Sequence, residues 1–154
     1  MWVASPVHPG VVWSAMTAEQ GRHIARWLAS RTGPTIAGLD RNGPKYEHPD
    51  GSVQLWPHDA PELLGPDPAH RCRDALSVLY EREPHRCEQA AAQRPDGPLA
   101  VSYIRGRAGQ RQTRCRYDTV YVSEHVTVDD VRYLYEESIA AGSDHAAFAT
   151  RFTV

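Results

Sequence analysis

The sequence is poor in cysteine and has no long apolar run. Its three cysteines, Cys72, Cys87 and Cys115, have no CxxC spacing. This argues against a zinc ribbon and against a disulfide scaffold, and it is typical of a reducing compartment. No stretch reaches the ~18 apolar residues of a membrane helix, and no basic segment followed by an apolar run suggests a secretory signal. The sequence therefore predicts a cytoplasmic protein without a membrane span.

What is present is ordinary for one globular domain. The 154 residues are 41% hydrophobic and 23% charged, with a formal net charge of −2. A chain of this size buries about two thirds of its unfolded surface. Because no internal repeat or linker divides the chain, we expect a single domain over residues 1–154.

Basic residues are concentrated in one segment. Residues 97–117 contain no Asp or Glu and five arginines: Arg105, Arg107, Arg111, Arg114 and Arg116. This local positive charge attracts phosphate groups, and the alternative is a solvated hairpin whose charges bind nothing specific. Apart from Tyr103 and Tyr117, aromatic residues are not interleaved with the arginines. A pure nucleic-acid-binding module is therefore the less favoured class.

Hydrophobic periodicity and turn residues predict an α+β chain. A helix is expected to begin at Thr17, where Gln20 fits a capping box, and to end at Gly33-Pro34. A second helical pattern covers residues 71–92 and is broken at Pro84. Short apolar runs predict strands over residues 2–8, 35–39, 99–104, 115–123, 126–135 and 145–154, with 99–104 and 115–123 as a hairpin. Residues 43–70 predict a long loop with room for one helical turn.

Asp40 and Asn42 follow directly on a strand predicted to be buried. Two polar residues at this spacing can both point to the same rim of a sheet. Carboxylate and amide oxygens suit a hard cation such as Mg²⁺, or a phosphate with its water. The alternative is a turn in which the Asp side chain bonds its own backbone.

Two further acidic positions lie at the starts of predicted strands. Asp118 opens an alternating strand, and the alternative to a functional role is a cross-strand pair with an arginine. Asp144 and His145 stand directly before the final strand. Adjacent Asp and His can place a metal ligand or an orienting carboxylate beside an imidazole that transfers a proton near neutral pH. The alternative is a capping Asp followed by a packed His.

Together and in this order, these segments resemble one protein family. They read GLDRN at a strand end, RYDTVYVS along a strand, and GSDH before the closing strand. The pattern is similar to the endonuclease/exonuclease/phosphatase family, which comprises metal-dependent phosphoesterases related to DNase I. The resemblance covers most of the chain and leaves about residues 43–95 unmatched. It implies half of a DNase I-like four-layer α/β sandwich: one mixed or antiparallel sheet with helices on one face, and a long variable loop at about 43–70.

The resemblance also implies roles for individual residues. Asp40 would orient or deprotonate the attacking water, and Asn42 would hold a phosphate oxygen. Asp118 corresponds to the family's Asp at the edge of the active site. Asp144 would bind metal or orient the imidazole of His145. His145 would contact the scissile phosphate and stabilise the charge that develops on it.

Two further residues complete the predicted site. Arg116 would bind phosphate together with Asn42, as part of the basic segment. His8, after the first predicted strand, corresponds loosely to a histidine that the family places early in its chain, and a purely structural role is the alternative.

The implied function is metal-dependent hydrolysis of a phosphodiester or phosphomonoester in a small molecule, a lipid or a nucleic acid. The family's chain is normally longer, and the Asn and the principal metal ligand Glu of its N-terminal half have no counterpart here. Glu19 is a poor substitute. Binding of Mg²⁺ or Mn²⁺ is therefore expected to be weak. The sheet would also expose a bare apolar face, covered by a second copy in a homodimer or by a separate N-terminal half. The alternative function is a catalytically impaired remnant, a binding or regulatory module that needs a partner chain.

Overall fold

A computed structural model describes residues 13–106, 109 and 111–154, with side chains in the first helix from Ala18 onward. His8, the strand predicted over residues 2–8 and Arg107 lie outside the described residues. The helices are α1 (Trp13–Ala29), α2 (Pro61–Leu64), α3 (Ala75–Arg82), α4 (Pro84–Gln93) and α5 (Tyr135–Ala140). The strands are β1 (Ile36–Asp40), β2 (Tyr46–Glu47), β3 (Val53–Gln54), β4 (Arg73–Asp74), β5 (Tyr103–Arg105), β6 (Thr113–Cys115), β7 (Asp118–Val122), β8 (Thr127–Leu134) and β9 (Ala147–Thr153).

The predicted α+β class is confirmed as a mixture of helices and small antiparallel sheets. One sheet has the order β1-β7-β4, and three further pairs join β2 to β3, β5 to β6, and β8 to β9. Every pairing is antiparallel. Among the helices described, none has the length and apolar character needed to cross a membrane.

Strand β7 is the centre of the fold, and all five of its residues are buried. Its side chains alternate between two apolar clusters, since successive residues of a strand point to opposite faces. Val120 and Val122 belong to the cluster formed with α3 and β8. Tyr121 belongs to the other, formed with α1 and α2. The sheet therefore has helices on both faces, and the prediction of helices on one face only is wrong.

The expected bare apolar face is also not found in the part of the chain described. The large hydrophobic residues that are exposed lie apart in the sequence: Trp27, Ile36, Ile139 and Val154. Single exposed apolar residues are normal on a protein surface. The physical reason is that α1 and α2 cover one face of β7 while α3 and β8 cover the other. Both faces of β7 are thus covered within the described residues.

Several element boundaries differ from the sequence prediction. Helix α1 begins at Trp13, four residues before the predicted Thr17. The break at Pro84 is confirmed, because α3 ends at Arg82 and α4 begins at Pro84. The loop over 43–70 contains the predicted helical turn as α2, and it also forms the unpredicted β2–β3 ladder.

The hairpin predicted for 99–104 and 115–123 is only partly formed. Strand β5 pairs with β6, from Tyr103 opposite Cys115 to Arg105 opposite Thr113. The second arm then splits, and β7 leaves this ladder to pair with β1 and β4. The split occurs where the side-chain oxygen of Ser102 accepts hydrogen bonds from the backbone N–H groups of Tyr117 (2.8 Å) and Asp118 (3.0 Å). The Ser102 side chain thus takes the place of a backbone hydrogen-bond partner at the split. The alternation of apolar residues in the sequence gives no sign of such a contact.

Candidate functional site

The ends of two paired strands bring the predicted acidic residues together. Asp40 closes β1, Asp118 opens β7, and the antiparallel register places them directly opposite each other. His145 comes to the same place from the segment before β9. Ligand atoms of these three side chains lie within 4.8 Å of one another. The structure therefore brings together Asp40, Asp118 and His145, which are up to 105 positions apart in the chain (145 − 40).

Asp118 holds the imidazole of His145. The Nδ1 atom of His145 lies 2.8 Å from Oδ2 of Asp118. The carboxylate is itself fixed through its backbone, because the Asp118 carbonyl accepts a hydrogen bond of 2.7 Å from the Tyr133 hydroxyl. Asp118 is 8% exposed, so water competes little for this pair. Of the two roles predicted for Asp144, orienting the imidazole is wrong, because Asp118 occupies that position.

The environment of His145 favours its charged form. Burial opposes protonation, but the hydrogen bond that the imidazole donates to Asp118 and the negative charges of Asp118, Asp40 and Asp144 outweigh it and raise the pKa of His145. A raised pKa means that the imidazolium persists to a higher pH than in a free histidine. His145 is thereby suited to donate a proton or a charged hydrogen bond near neutral pH.

An NMR titration of the histidine rings in metal-free protein is expected to give His145 a midpoint above the ordinary value of about 6.5. Because the pKa is higher in the folded state, protonation of His145 stabilises the fold at low pH, and this contribution is lost as the pH rises through the raised pKa. Asp118→Asn should move the midpoint to lower pH. His70 is an internal contrast, since burial lowers its pKa. An unchanged His145 midpoint in Asp118→Asn would contradict the assigned cause.

An aromatic stack covers His145. Its ring lies 4.7 Å from that of Tyr103 between centroids, with 30° between the planes. Tyr103 in turn stacks on Tyr117 at 5.5 Å. The backbones of Tyr103 and His145 also form an isolated antiparallel bridge. The sequence indicates Tyr103 and Tyr117 only as aromatic residues beside the arginines, because a stack across 42 positions leaves no local signal.

Asn42 is placed by a tight turn after β1. Its φ of +50° lies in the left-handed region, which asparagine tolerates better than most residues. Its backbone N–H donates a hydrogen bond of 3.0 Å to Oδ1 of Asp40. The turn predicted as the alternative for this segment is therefore present. It leaves the exposed Asn42 side chain on the wall of a cavity of about 390 Å³, which Asp144 and His145 also line.

Arg116, predicted to bind phosphate, points into the protein. It is 3% exposed. Its Nε donates to both carboxylate oxygens of Glu47, at 3.0 and 2.9 Å, and its Nη2 lies 2.6 Å from Oδ2 of Asp74. Burial opposes the charged form of Arg116, but the negative charges of Asp74 and Glu47 outweigh it and raise the pKa of Arg116. The guanidinium is thus fully engaged, and the predicted phosphate contact is wrong for Arg116.

The oxygen atoms at this rim have the chemistry that a hard cation needs. Oδ1 of Asp40 accepts the Asn42 N–H and Oδ2 of Asp118 faces His145, which leaves the second carboxylate oxygen of each acid without a bond among the described residues. Mg²⁺ in proteins is commonly held by one or two carboxylates and keeps several waters. The residues present fit such a loosely held ion. Asp144 lies outside the cluster of Asp40, Asp118 and His145, although it lines the adjoining cavity.

No protein-family model matches this chain, and no match was found among curated proteins or solved structures.

Proposed function

We propose that this protein is a metal-dependent phosphoesterase similar to the DNase I-like enzymes, hydrolysing a phosphodiester or a phosphomonoester. One observation carries the proposal: Asp40 and Asp118 lie opposite each other at paired strand ends, with His145 bonded to Asp118. The three sequence segments that resemble the family are the ones that supply these groups. The assignment rests on the site, because a fold alone does not imply a function.

Each side chain has a role that follows from its contacts. His145 is held through Nδ1, so Nε2 is left to donate a hydrogen bond to a phosphate oxygen as negative charge develops there. Asp40, engaged at Oδ1 by Asn42, offers its other oxygen to orient an attacking water. The Asn42 amide lines the same cavity as His145 and can bind a second phosphate oxygen. Mg²⁺ or Mn²⁺, held by Asp40 and Asp118, would supply Lewis-acid stabilisation of the phosphate charge.

The packing of two sheet layers supports the finer part of the proposal, a sandwich of sheets similar to the DNase I-like fold. Phe148 of β9 packs against β1, so closely that a Cβ on Gly38 would lie 3.3 Å from its ring. Phe148 and Phe152 also pack on the cluster that contains Val120 and Val122 of β7. The β8–β9 pair therefore packs against the β1-β7-β4 sheet. A separate N-terminal half or a second copy remains a prediction.

The direct test is hydrolysis of bis(p-nitrophenyl) phosphate and of DNA by the purified chain with Mg²⁺ or Mn²⁺. We expect activity that EDTA abolishes and that added metal restores. Asp40→Asn should weaken Mn²⁺ binding in a calorimetric titration, because it removes one of the free carboxylate oxygens. Asp129→Asn, an acidic residue of β8, is the matched control and should change neither measurement. Metal-independent hydrolysis, or an unchanged titration in Asp40→Asn, would contradict the proposal.

A second candidate function is a phosphate-binding module without turnover. The observation that favours it is the commitment of one carboxylate oxygen of each acid to a protein donor, which leaves few oxygens for a metal. In that case the chain binds inorganic phosphate in a manner that depends on His145, but releases no product from either substrate. The hydrolysis assay therefore decides between the two candidates.

A further inference from the structure

The cavity beside His145 has a second wall that the proposed chemistry does not use. Trp56 and His58 reach it from the loop over 43–70, and Arg105 and Tyr117 reach it from β5 and the segment before β7. The cavity of about 390 Å³ is open and falls in the size range of small-ligand sites, roughly 300–1,000 Å³. The loop that supplies Trp56 has no counterpart in the family resemblance, so this wall belongs to this chain.

Trp56 is the centre of the wall. Its ring is nearly parallel to that of His58, with 8° between the planes and 5.8 Å between the centroids. Two cations lie over it: the Arg105 guanidinium at 5.0 Å and the Lys45 ammonium at 5.4 Å from the ring centroid. Trp56 and both cations are half-buried. The wall therefore combines planar aromatic surface with positive charge at one place.

The two cations have no acidic partner among the described residues. Neither Lys45 nor Arg105 takes part in an ion pair there, and the side chain of Arg105 donates only a long hydrogen bond of 3.4 Å to the Tyr117 hydroxyl. Arg116, by contrast, is neutralised by Glu47 and Asp74. Unpaired positive charge in a cleft attracts an anion.

We propose that this wall binds one nucleotide of a single-stranded nucleic acid, with the base against the aromatic rings and its phosphate at Lys45 and Arg105. The inference rests on the proposed function and names its substrate class. A lipid or an inositol phosphate offers no planar ring to such a wall, whereas a nucleotide carries a planar base and a phosphate together. A base inside a duplex is already stacked on both faces and cannot stack on these rings. We therefore expect single-stranded and not double-stranded nucleic acid to bind.

Binding without cleavage tests the subsite directly. We compare two fluorescein-labelled 8-mers in EDTA by fluorescence anisotropy: oligothymidylate and an abasic backbone of the same length with the same number of phosphates. One stacked base should make oligothymidylate bind about 5- to 150-fold more tightly, since stacking contributes roughly 1–3 kcal/mol per base. Equal affinity of the two oligonucleotides overturns the proposal.

Substitutions test which residues cause the difference in affinity between the two oligonucleotides. Trp56→Leu should bring the ratio of the oligothymidylate affinity to the abasic affinity close to one. Arg105→Met should weaken the binding of both oligonucleotides alike and reduce the slope of log K against log salt by about 1. Trp27→Leu is the matched control, because Trp27 is also a tryptophan with an arginine over its ring, Arg31 at 5.1 Å, but lies on α1. It should leave the ratio unchanged. Thermal unfolding verifies that each variant is folded, and Arg105→Met keeps the test decisive should Trp56→Leu not fold.

The failures of the two proposals are distinguishable. Binding that depends on Trp56 but gives no hydrolysis of any phosphodiester with Mg²⁺ or Mn²⁺ supports the subsite and overturns the phosphoesterase. Hydrolysis that requires His145, with an affinity ratio that Trp56→Leu does not change, overturns the subsite and leaves the phosphoesterase standing.

Discussion

His145→Ala is expected to lower the rate of phosphodiester hydrolysis by about 10²–10⁴, the range typical for removal of a positioned proton donor. The reason is that no other described imidazole shares the hydrogen bond of 2.8 Å to Asp118. The rate is measured with bis(p-nitrophenyl) phosphate at saturating Mn²⁺. His125→Ala is the control, since His125 is exposed in the turn before β8 and should retain full activity.

Asp118→Asn tests the charge that raises the pKa of His145, and it is assayed at saturating Mn²⁺ because the substitution also removes a carboxylate proposed to hold the metal. An asparagine can still bond the imidazole, but it carries no charge to raise the pKa of His145. We therefore expect a loss smaller than that of His145→Ala, together with a shift of the alkaline limb of the pH–rate profile to lower pH. If His145→Ala and Asp118→Asn both retain the full rate, His145 does not act in the reaction.

Arg116→Met is expected to lower the free energy of unfolding by about 3–5 kcal/mol. The substitution leaves Glu47, which is 3% exposed, and the partly buried Asp74 without their ion-pair partner. Urea unfolding followed by circular dichroism measures the change. Arg22→Met is the matched control: its ion pair with Glu62 is exposed, so its loss should cost at most about 1 kcal/mol.

A double substitution tests whether uncompensated charge is the cause. Glu47→Gln placed in Arg116→Met removes one stranded carboxylate and should recover part of the lost stability. Equal destabilisation by Arg116→Met and Arg22→Met would instead show that the buried network contributes no more than a surface pair.

The candidate site could be predicted from sequence to the extent that its residues stand at strand ends. Asp40, Asp118 and His145 each border a recognisable apolar strand, and antiparallel pairing of β1 with β7 places the first two opposite each other. Which carboxylate would hold the imidazole could not be predicted. Asp144 is adjacent in sequence, but Asp118 has the right position because the backbone of β7 fixes it.

Arg116 shows why the rest was beyond sequence reasoning. It belongs to a basic segment that looks solvated, yet its partner Glu47 is 69 positions away in a segment that looks like a loop. Local pattern carries no information on such a pairing. The same holds for Trp56, whose importance depends on Lys45 and Arg105 meeting over its ring. Apolar periodicity predicts core positions, and it is silent on buried ion pairs.

The anchoring of Asp118 has a consequence for how the candidate site forms as the chain folds. Its N–H is bonded to Ser102, its carbonyl to Tyr133, and its carboxylate to His145, and these three partners lie 16, 15 and 27 positions away. Asp40 is paired to it across 78 positions (118 − 40). Contacts of such long separation close large loops and form slowly. The candidate site should therefore re-form only with complete tertiary structure, after helix signals have already recovered.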